Sequence, residues 1–462
     1  MVNEFDTIAA IATAVSNAGI GIIRISGSEA MTILGDIFKP YNEKKDPHHL
    51  ESHRIYYGNI VDGDEIIDEC IVLIMKGPHS YTREDVVEID CHGGISVVYR
   101  ILNLVISKGA RPAEPGEFTK RAFLNGRMDL SQAEAVMDLI HAKNDMARKN
   151  STSMLKGRLS EKIREIRSEI LYQIAYIESA LDDPEHISLD GYADTLEEYV
   201  DKWIKNVDTL LNSYDNGRII SEGIRTCIVG KPNAGKSSFL NALLGEERAI
   251  VTDVAGTTRD TLEESVTIDG ITLNIIDTAG IRETEDTVEK IGVKKAKEEM
   301  ENADLVLFVA DTSCALGEED RDILHQIREK KKIILLNKTD MSSGFDEKEI
   351  NSYISPEDPV ISISAKFGTG MEDFIRELKN LMFHGKIDAN QEIYITNARH
   401  RKALEDTLVS LQCVRDSILN QMPEDFYTID MMNAYEKAGL IIGESVEEDL
   451  VNEIFSRFCT GK

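Results

Sequence analysis

The sequence predicts an α/β domain with a doubly wound parallel sheet, set between two helical tracts and preceded by an N-terminal α+β region. Three observations predict it. Apolar runs alternate with helical periodicity between about residues 219 and 380, the pattern of a parallel sheet covered on both faces. On either side of that stretch, apolar residues recur every three or four positions instead. Before residue 118 the chain reads as strands mixed with short helices.

Taken in order, residues 1–118 carry strands at Ile20–Ile25, Ile66–Met75 and Val86–Asp90, and a helix over Ile95–Ser107. Residues 119–218 are helical. There Leu155, Leu159, Ile163, Ile166, Ile170, Ile174, Ile177 and Leu181 form one stripe, which predicts a single long helix closed by Asp183-Pro184. Residues 219–380 form the inserted α/β domain. Helices return over 381–462, where Leu404, Leu408, Leu411 and Ile418 make a second stripe and Ser445-Val-Glu-Glu448 is a capping box. A helical domain built from two chain segments follows as an inference.

Composition bounds the function. A chain of 462 residues has room for about three domains. No run of eighteen apolar residues is present and the start, MVNEFD, is acidic, so the sequence predicts a cytoplasmic protein with no membrane partner. The six cysteines are scattered without zinc spacing, which suits reduced thiols. The net charge of −30 repels phosphate backbones, so a nucleic-acid partner must be held by local basic clusters or by a second protein. Two clusters stand out, Lys149-Lys156-Arg158-Lys162-Arg164-Arg167 and Arg399-His400-Arg401-Lys402, although solvated helix faces commonly read this way.

The chemistry lies in five loops. Gly230-Lys-Pro-Asn233-Ala234-Gly235-Lys236-Ser237 follows the strand Thr226–Val229 and precedes a helix opening at Ser238. Glycines there let backbone N–H groups surround a β-phosphate, Lys236 would neutralise the β- and γ-phosphates, and Ser237 would ligate Mg²⁺. In the polar loop Gly256-Thr257-Thr258, Thr258 would complete the Mg²⁺ shell. Asp277-Thr278-Ala279-Gly280 ends another strand, with Asp277 holding the metal through water and Gly280 facing the γ-phosphate. Asn337-Lys338-Thr-Asp340 supplies a carboxylate for the N1–H and N2–H donors of guanine, which adenine does not match. Ser364-Ala365-Lys366 would offer an amide to guanine O6. A single such loop can be a plain turn; five in series predict a Ras-like P-loop GTPase that uses GTP and Mg²⁺. Position 281 is Ile, where Ras-like proteins carry the glutamine that orients water. Glu289 is the candidate replacement.

Outside these loops the chain carries Gly21-Ile-Ile-Arg-Ile-Ser-Gly27, Tyr81-Thr-Arg-Glu-Asp85, Cys91-His-Gly-Gly94, Pro115-Gly-Glu-Phe118, Arg121-Ala-Phe-Leu-Asn125, Asp129-Leu-Ser-Gln-Ala-Glu134, Thr396-Asn-Ala-Arg-His400 and a terminal Phe458-Cys-Thr-Gly-Lys462. In these segments, over essentially its whole length, it resembles the MnmE (TrmE) family of GTPases that modify tRNA wobble uridines.

The resemblance implies a tetrahydrofolate-binding and dimerising domain over 1–118, a helical domain over 119–218 and 381–462, and a G domain over 219–380. It implies a homodimer that joins an FAD- and NADH-binding partner, MnmG, in a heterotetramer. With tRNA as substrate, the pair adds an aminomethyl or carboxymethylaminomethyl group to C5 of uridine 34. The carbon comes from 5,10-methylene-tetrahydrofolate, for which a 5-formyl analogue can stand in. By motif, Arg24, Glu88, Arg127 and Lys462 would contact the folate; read without the family, Arg24 on a strand is a structural ion-pair residue. K⁺ would be held by Asn233 with oxygens near Thr252, Val254 and Thr257, offsetting leaving-group charge as an arginine finger does. Cys459 would be a required thiol near the folate, although Thr460 stands where the family usually has Ile. Two other readings remain open at this point: a ribosome-assembly GTPase of the Era or EngA type, and a regulatory GTPase switch.

Overall fold

The computed structural model describes residues 6–42, 44–245, 249–251, 264–276, 300–342, 344, 347–383, 393–444, 446 and 448–461. The chain divides into two compact units. One comprises Met1–Met137, Met154–Asp190 and Ser417–Lys462, and the other Asp138–Ser153 and Gly191–Asp416.

The first unit holds a seven-stranded sheet built from β1 (Ile8–Ile11), β2 (Gly21–Ser26), β3 (Phe38–Pro40), β4 (Arg54–Asp62), β5 (Glu65–Met75), β6 (Val86–Cys91) and β7 (Arg111–Pro112), in the order β3-β4-β5-β6-β2-β1-β7. All neighbours are antiparallel except β1 and β7. Alternation in Val86-Val-Glu-Ile-Asp-Cys91 sends Val87 and Ile89 into the core and leaves Glu88 on the opposite side. Helices α1 (Ala30–Ile37) and α2 (Ile95–Ser107) bury Ile33, Leu34, Ile101 and Val105 against these strands. The register pairs Arg24 of β2 with Glu88 of β6. A second cluster in this unit joins α3 (Glu117–Leu124) to the chain's end through Ala122, Phe455 and Phe458.

Downstream come α4 (Leu130–Ile140), α5 (Asp145–Leu155), α6 (Arg158–Asp182), α7 (Tyr192–Asn212) and α8 (Tyr214–Glu222). The stripe expected on one long helix is shared by two. Gly157, at φ +84°, ends the first and starts the second, leaving Leu155 on the earlier helix. Asp183 stops α6 at the predicted point.

In the other unit, a sheet runs β14-β13-β12-β8-β11-β10-β9, formed by β8 (Ile224–Val229), β9 (Ala249–Val251), β10 (Glu264–Ile268), β11 (Ile271–Ile276), β12 (Leu305–Asp311), β13 (Lys332–Asn337) and β14 (Val360–Ser362). Five strands are parallel, as a doubly wound sheet requires. The edge departs from a purely parallel sheet, because β10 pairs antiparallel with both β11 and β9. Asp269-Gly270, both at positive φ, make the tight turn that forces the β10–β11 hairpin.

Central strands β12 and β13 are apolar on both faces, Leu305–Ala310 and Ile333–Leu336 being buried, as expected beneath helices on both sides. Two apolar clusters cover the two faces of this sheet. One includes Phe239 of α9 (Lys236–Gly245) and Phe374 of the helix Met371–Phe383; the other includes Leu324 and Ile327 at the end of α10 (Glu318–Gln326). Helix Ala398–Leu419 buries Leu404, Leu411 and Ile418 of the second stripe, leaves Leu408 half-buried and adds Val414 to the buried face. The expected capping box includes Ser445 and Glu447, which lie outside the described residues; the helix itself is described from Glu448.

Candidate functional site

The phosphate loop forms where β8 ends. Gly230 takes φ +149°, and a Cβ there would meet the Val309 carbonyl oxygen at 2.3 Å, so only glycine lets the loop leave between β8 and β12. Asn233 (φ +63°) and Gly235 (φ +99°) turn the backbone into α9, whose first turn carries Lys236 with Ser237 and Ser238 exposed. The Lys236 ammonium donates to the carbonyls of Gly230 (2.7 Å) and Lys231 (3.0 Å). Burial lowers its pKa, and the charges of Asp320 and Glu319 oppose that shift.

The base-recognition loops converge on the same end of the sheet, outside the carboxyl ends of parallel strands where ligands of such folds bind. Asn337, 2% exposed, donates from Nδ2 to the Ala234 carbonyl (2.9 Å) and accepts on Oδ1 from the Ala365 amide (3.0 Å). Lys338, at φ +68°, pairs with Asp311 at 2.7 Å. Burial pushes the Asp311 carboxyl up, but hydrogen bonds from Lys338 and Ser313 outweigh it and hold the group below its ordinary range. Asp340 accepts from the Ser364 hydroxyl at 2.7 Å, which fixes one carboxylate oxygen. Lys366 lies against the Phe367 ring, 5.2 Å from its centroid. Asn233, Ala234, Gly235, Lys338, Asp340, Ser364, Ala365 and Lys366 lie on loops at these strand ends, Lys236 and Ser237 open α9, and Asn337 closes β13. Thr252, Val254, Thr257, Thr258, Asp277, Thr278, Ala279, Gly280 and Glu289 lie outside the described residues.

In the first unit a second constellation gathers around Tyr81. Arg24 donates from Nε to Glu88 Oε1 at 2.7 Å and from Nη1 to the Gly461 carbonyl at 3.1 Å. Its guanidinium carbon is 5.5 Å from the Tyr81 ring centroid and 5.6 Å from that of Phe118. Arg127 stacks on Tyr81 at 4.6 Å and donates to the Tyr81 carbonyl at 3.2 Å. Tyr81 Oη in turn hydrogen bonds Thr119 Oγ1 at 2.9 Å. Arg24 is therefore the ion-pair residue that its strand position suggests, within a wall that also offers cationic, anionic and aromatic faces to a planar polar ligand.

The chain's end belongs to this constellation. The Gly116 amide donates to the Cys459 carbonyl at 3.3 Å. Gly461, at φ +96°, sits where a Cβ would meet the Ile11 carbonyl oxygen at 2.3 Å. Cys459 is an exposed free thiol, and Lys462 lies outside the described residues. Sequence reasoning quoted Tyr81 and Phe118 in motifs without giving them a role. Their signal was aromatic type beside a charged motif, and strand pairing was needed to place them over Arg24.

The two basic clusters are largely consumed internally. Lys149 pairs with Asp145, Arg164 with Asp129, Arg401 with Glu405 and Lys402 with Asp406, each at 2.8 Å. Arg167 pairs with Glu444 and stacks on Tyr435, and His400 is buried. These are mostly the solvated or paired helix faces of the ordinary reading.

Comparison with known proteins identifies the family. Residues 7–127 match a family model described as the GTP-binding protein TrmE N-terminus, and residues 130–459 match the MnmE helical domain. A Lachnoclostridium phytofermentans protein named tRNA modification GTPase MnmE is 56% identical over 457 residues, 99% of each chain. Proteins of the same name from Clostridioides difficile and Enterococcus faecalis are 48% and 46% identical, again across 99% of both chains. With nucleotide loops on one sheet, a cationic–aromatic wall on another and relatives matched end to end, the chain belongs to the MnmE (TrmE) family of tRNA modification GTPases.

Proposed function

We propose that this GTPase couples GTP hydrolysis to modification of C5 of the wobble uridine of certain tRNAs, using a one-carbon unit from a tetrahydrofolate. The observation that carries the folate half is the pairing of Arg24 with Glu88 beneath Tyr81, with Arg127 on the same ring. A pterin has N–H donors for a carboxylate, carbonyl oxygen for a guanidinium and a face for an aromatic ring, so the donor set fits. Methylene-tetrahydrofolate would supply the carbon. Arg24, Glu88 and Arg127 bind and orient it, and the Gly461 carbonyl keeps Arg24 in place. Cys459 and Lys462 are proposed to act beside it.

In the G domain, the reading is that Lys236 and the 230–237 backbone hold the polyphosphate, while Asp340 and a backbone amide of the 364–366 loop choose guanine. Ser237 and Thr258 would hold Mg²⁺, and Asn233 with Thr252, Val254 and Thr257 would hold K⁺. Of these metal-binding positions, only Asn233 and Ser237 are described. Hydrolysis faster in K⁺ than in Na⁺ supports the potassium site; equal rates exclude it. Glu289 is proposed to position the attacking water, and a Glu289→Ala protein that binds GTP but turns it over at the normal rate removes that role.

The chain is further proposed to act in the cytoplasm as a homodimer, with an FAD- and NADH-using partner of the MnmG type. The decisive experiment is analysis of wobble nucleosides in tRNA from cells lacking this gene, with and without its return on a plasmid. Loss of the C5 substituent and its restoration support the function, and unchanged nucleosides overturn it in favour of a regulatory or ribosome-assembly role.

A further inference from the structure

Lys231, the second residue of the phosphate loop, has a backbone role and a side-chain role that meet. Its carbonyl, with that of Gly230, receives the Lys236 ammonium. Its own ammonium reaches across to α10, where it lies 3.0 Å from Asp320 Oδ2 and 3.2 Å from Cys314 Sγ. Asp320 is 1% exposed. Its Oδ2 also accepts the Gly317 amide at 3.0 Å, closing the N-terminus of α10, and its Oδ1 has no hydrogen-bond partner.

A carboxylate buried this deeply is costly unless paired. Asp320 is the third helical residue and reaches back to the N-cap amide, a role that an uncharged Gln can fill. Among the described residues the cation hydrogen-bonded to Asp320 is the Lys231 ammonium, and the carboxylate's charge also acts on Lys236. The loop is thus confined by two elements that follow one another in the chain: Gly230 passes too near the Val309 carbonyl of β12 to carry a Cβ, and Lys231 is held by Asp320 of α10.

We infer that Asp320 is a positioning residue for GTP turnover: by fixing Lys231 it holds the carbonyls that aim Lys236 at the polyphosphate. The inference rests on the reading of residues 230–237 as the phosphate cradle. Asp320 touches no nucleotide itself; it acts through Lys231. An anchored Lys236 needs no reorganisation when GTP arrives, so the benefit falls on nucleotide binding before chemistry.

The test uses the full-length chain and steady-state GTP hydrolysis, with titration of a fluorescent non-hydrolysable GTP analogue. Asp320→Asn is expected to raise KM roughly tenfold while kcat stays within about twofold, and Asp320→Glu to return KM to within about threefold of the parent. Lys231→Met should weaken binding by a similar factor. The double variant Lys231→Met/Asp320→Asn should be no worse than either single one, because both remove the same link. Asp320→Asn with unchanged KM, or single effects that multiply in the double variant, overturns the inference. If Asp320→Asn fails to fold, Lys231→Met alone decides, since its side chain is part-exposed: an unchanged affinity overturns the inference. Lys236→Met separates the two levels of the argument. Full GTP affinity in that variant sinks the phosphate-cradle reading itself, whereas lost affinity beside a neutral Asp320→Asn sinks only the role given to Asp320.

Discussion

Nδ2 of Asn337 lies 2.9 Å from the carbonyl oxygen of Ala234 and donates to it, tying the base-recognition loop to the phosphate loop across 103 residues of chain. The other end of the same side chain holds the Ala365 amide. One buried amide group therefore sets the spacing of three loops, those carrying Ala234, Asn337 and Ala365.

Asn337→Ala should leave a buried carbonyl and a buried N–H unpaired, at about 1–3 kcal/mol each. The expected result is a lower urea midpoint together with at least a tenfold loss of GTP affinity, measured on the same preparation. A protein of unchanged stability would show that water replaces both bonds at no cost.

Asp340→Asn exchanges an acceptor for a group that also donates. One guanine N–H keeps the amide oxygen, but the other then faces an N–H donor, and kcat/KM for GTP should fall by roughly a hundredfold or more. Xanthosine triphosphate, with a carbonyl at C2, should gain. Competition between the two nucleotides reads the switch, and retained preference for GTP would place base selection elsewhere.

Arg24→Gln breaks both the Glu88 pair and the bond to the Gly461 carbonyl. Affinity for 5-formyl-tetrahydrofolate should drop at least tenfold in a calorimetric titration, while GTP hydrolysis by the same protein stays within about twofold. Equal folate binding would reduce Arg24 to a structural ion pair.

Gly461→Ala puts a methyl group against the Ile11 carbonyl oxygen in a left-handed conformation. The chain end should detach, with loss of tRNA modification in complemented cells and retention of GTP turnover. Normal modification would mean that the tail conformation is dispensable.

His92 offers a pH test. Its Nδ1 is 2.7 Å from Asp68 Oδ1, and that hydrogen bond, with the nearby charges of Asp68 and Glu69, raises its pKa. Burial pushes the Asp68 carboxyl up, but the bonds from His92 outweigh this and lower it. The histidine's contribution is full below its unfolded pKa of about 6.5 and is lost as pH rises through the elevated folded value. The aspartate's contribution is present above about pH 3.9 and is lost as pH falls through the depressed value. The stability difference between parent and His92→Gln should therefore be greatest near pH 5 and fade in alkali. Urea melts across that range check it, and a pH-independent difference would refute it.

Much of the G domain was legible because phosphate binding is a property of short, contiguous backbone. Glycines at 230 and 235 and the lysine between strand and helix announce their geometry locally. The antiparallel edge was less legible: Asp269-Gly270 is a hairpin signal, yet the alternation of strands and helices around it dominated the pattern. Gly157 was similarly hidden, since the apolar stripe continues across the break it makes. Pairings such as Arg24 with Glu88, or Lys231 with Asp320, depend on strand order and register. No local spacing encodes that β2 lies beside β6 or that β12 lies beside β8. The family resemblance named Arg24 and Glu88 without pairing them, and both pairings emerged from the structure.

The interleaving of the two units along the chain bears on biosynthesis. The unit with the nucleotide loops has all its segments once Asp416 has been made, whereas the other, although begun first, still needs Ser417 onward. On a ribosome, Ala122, Leu130 and their apolar neighbours stay uncovered until Val451, Phe455 and Phe458 have been made. A chaperone that shelters this stretch would be most useful during the last tenth of translation, and an early stop codon there would strand a nascent protein whose GTP-binding half had already closed.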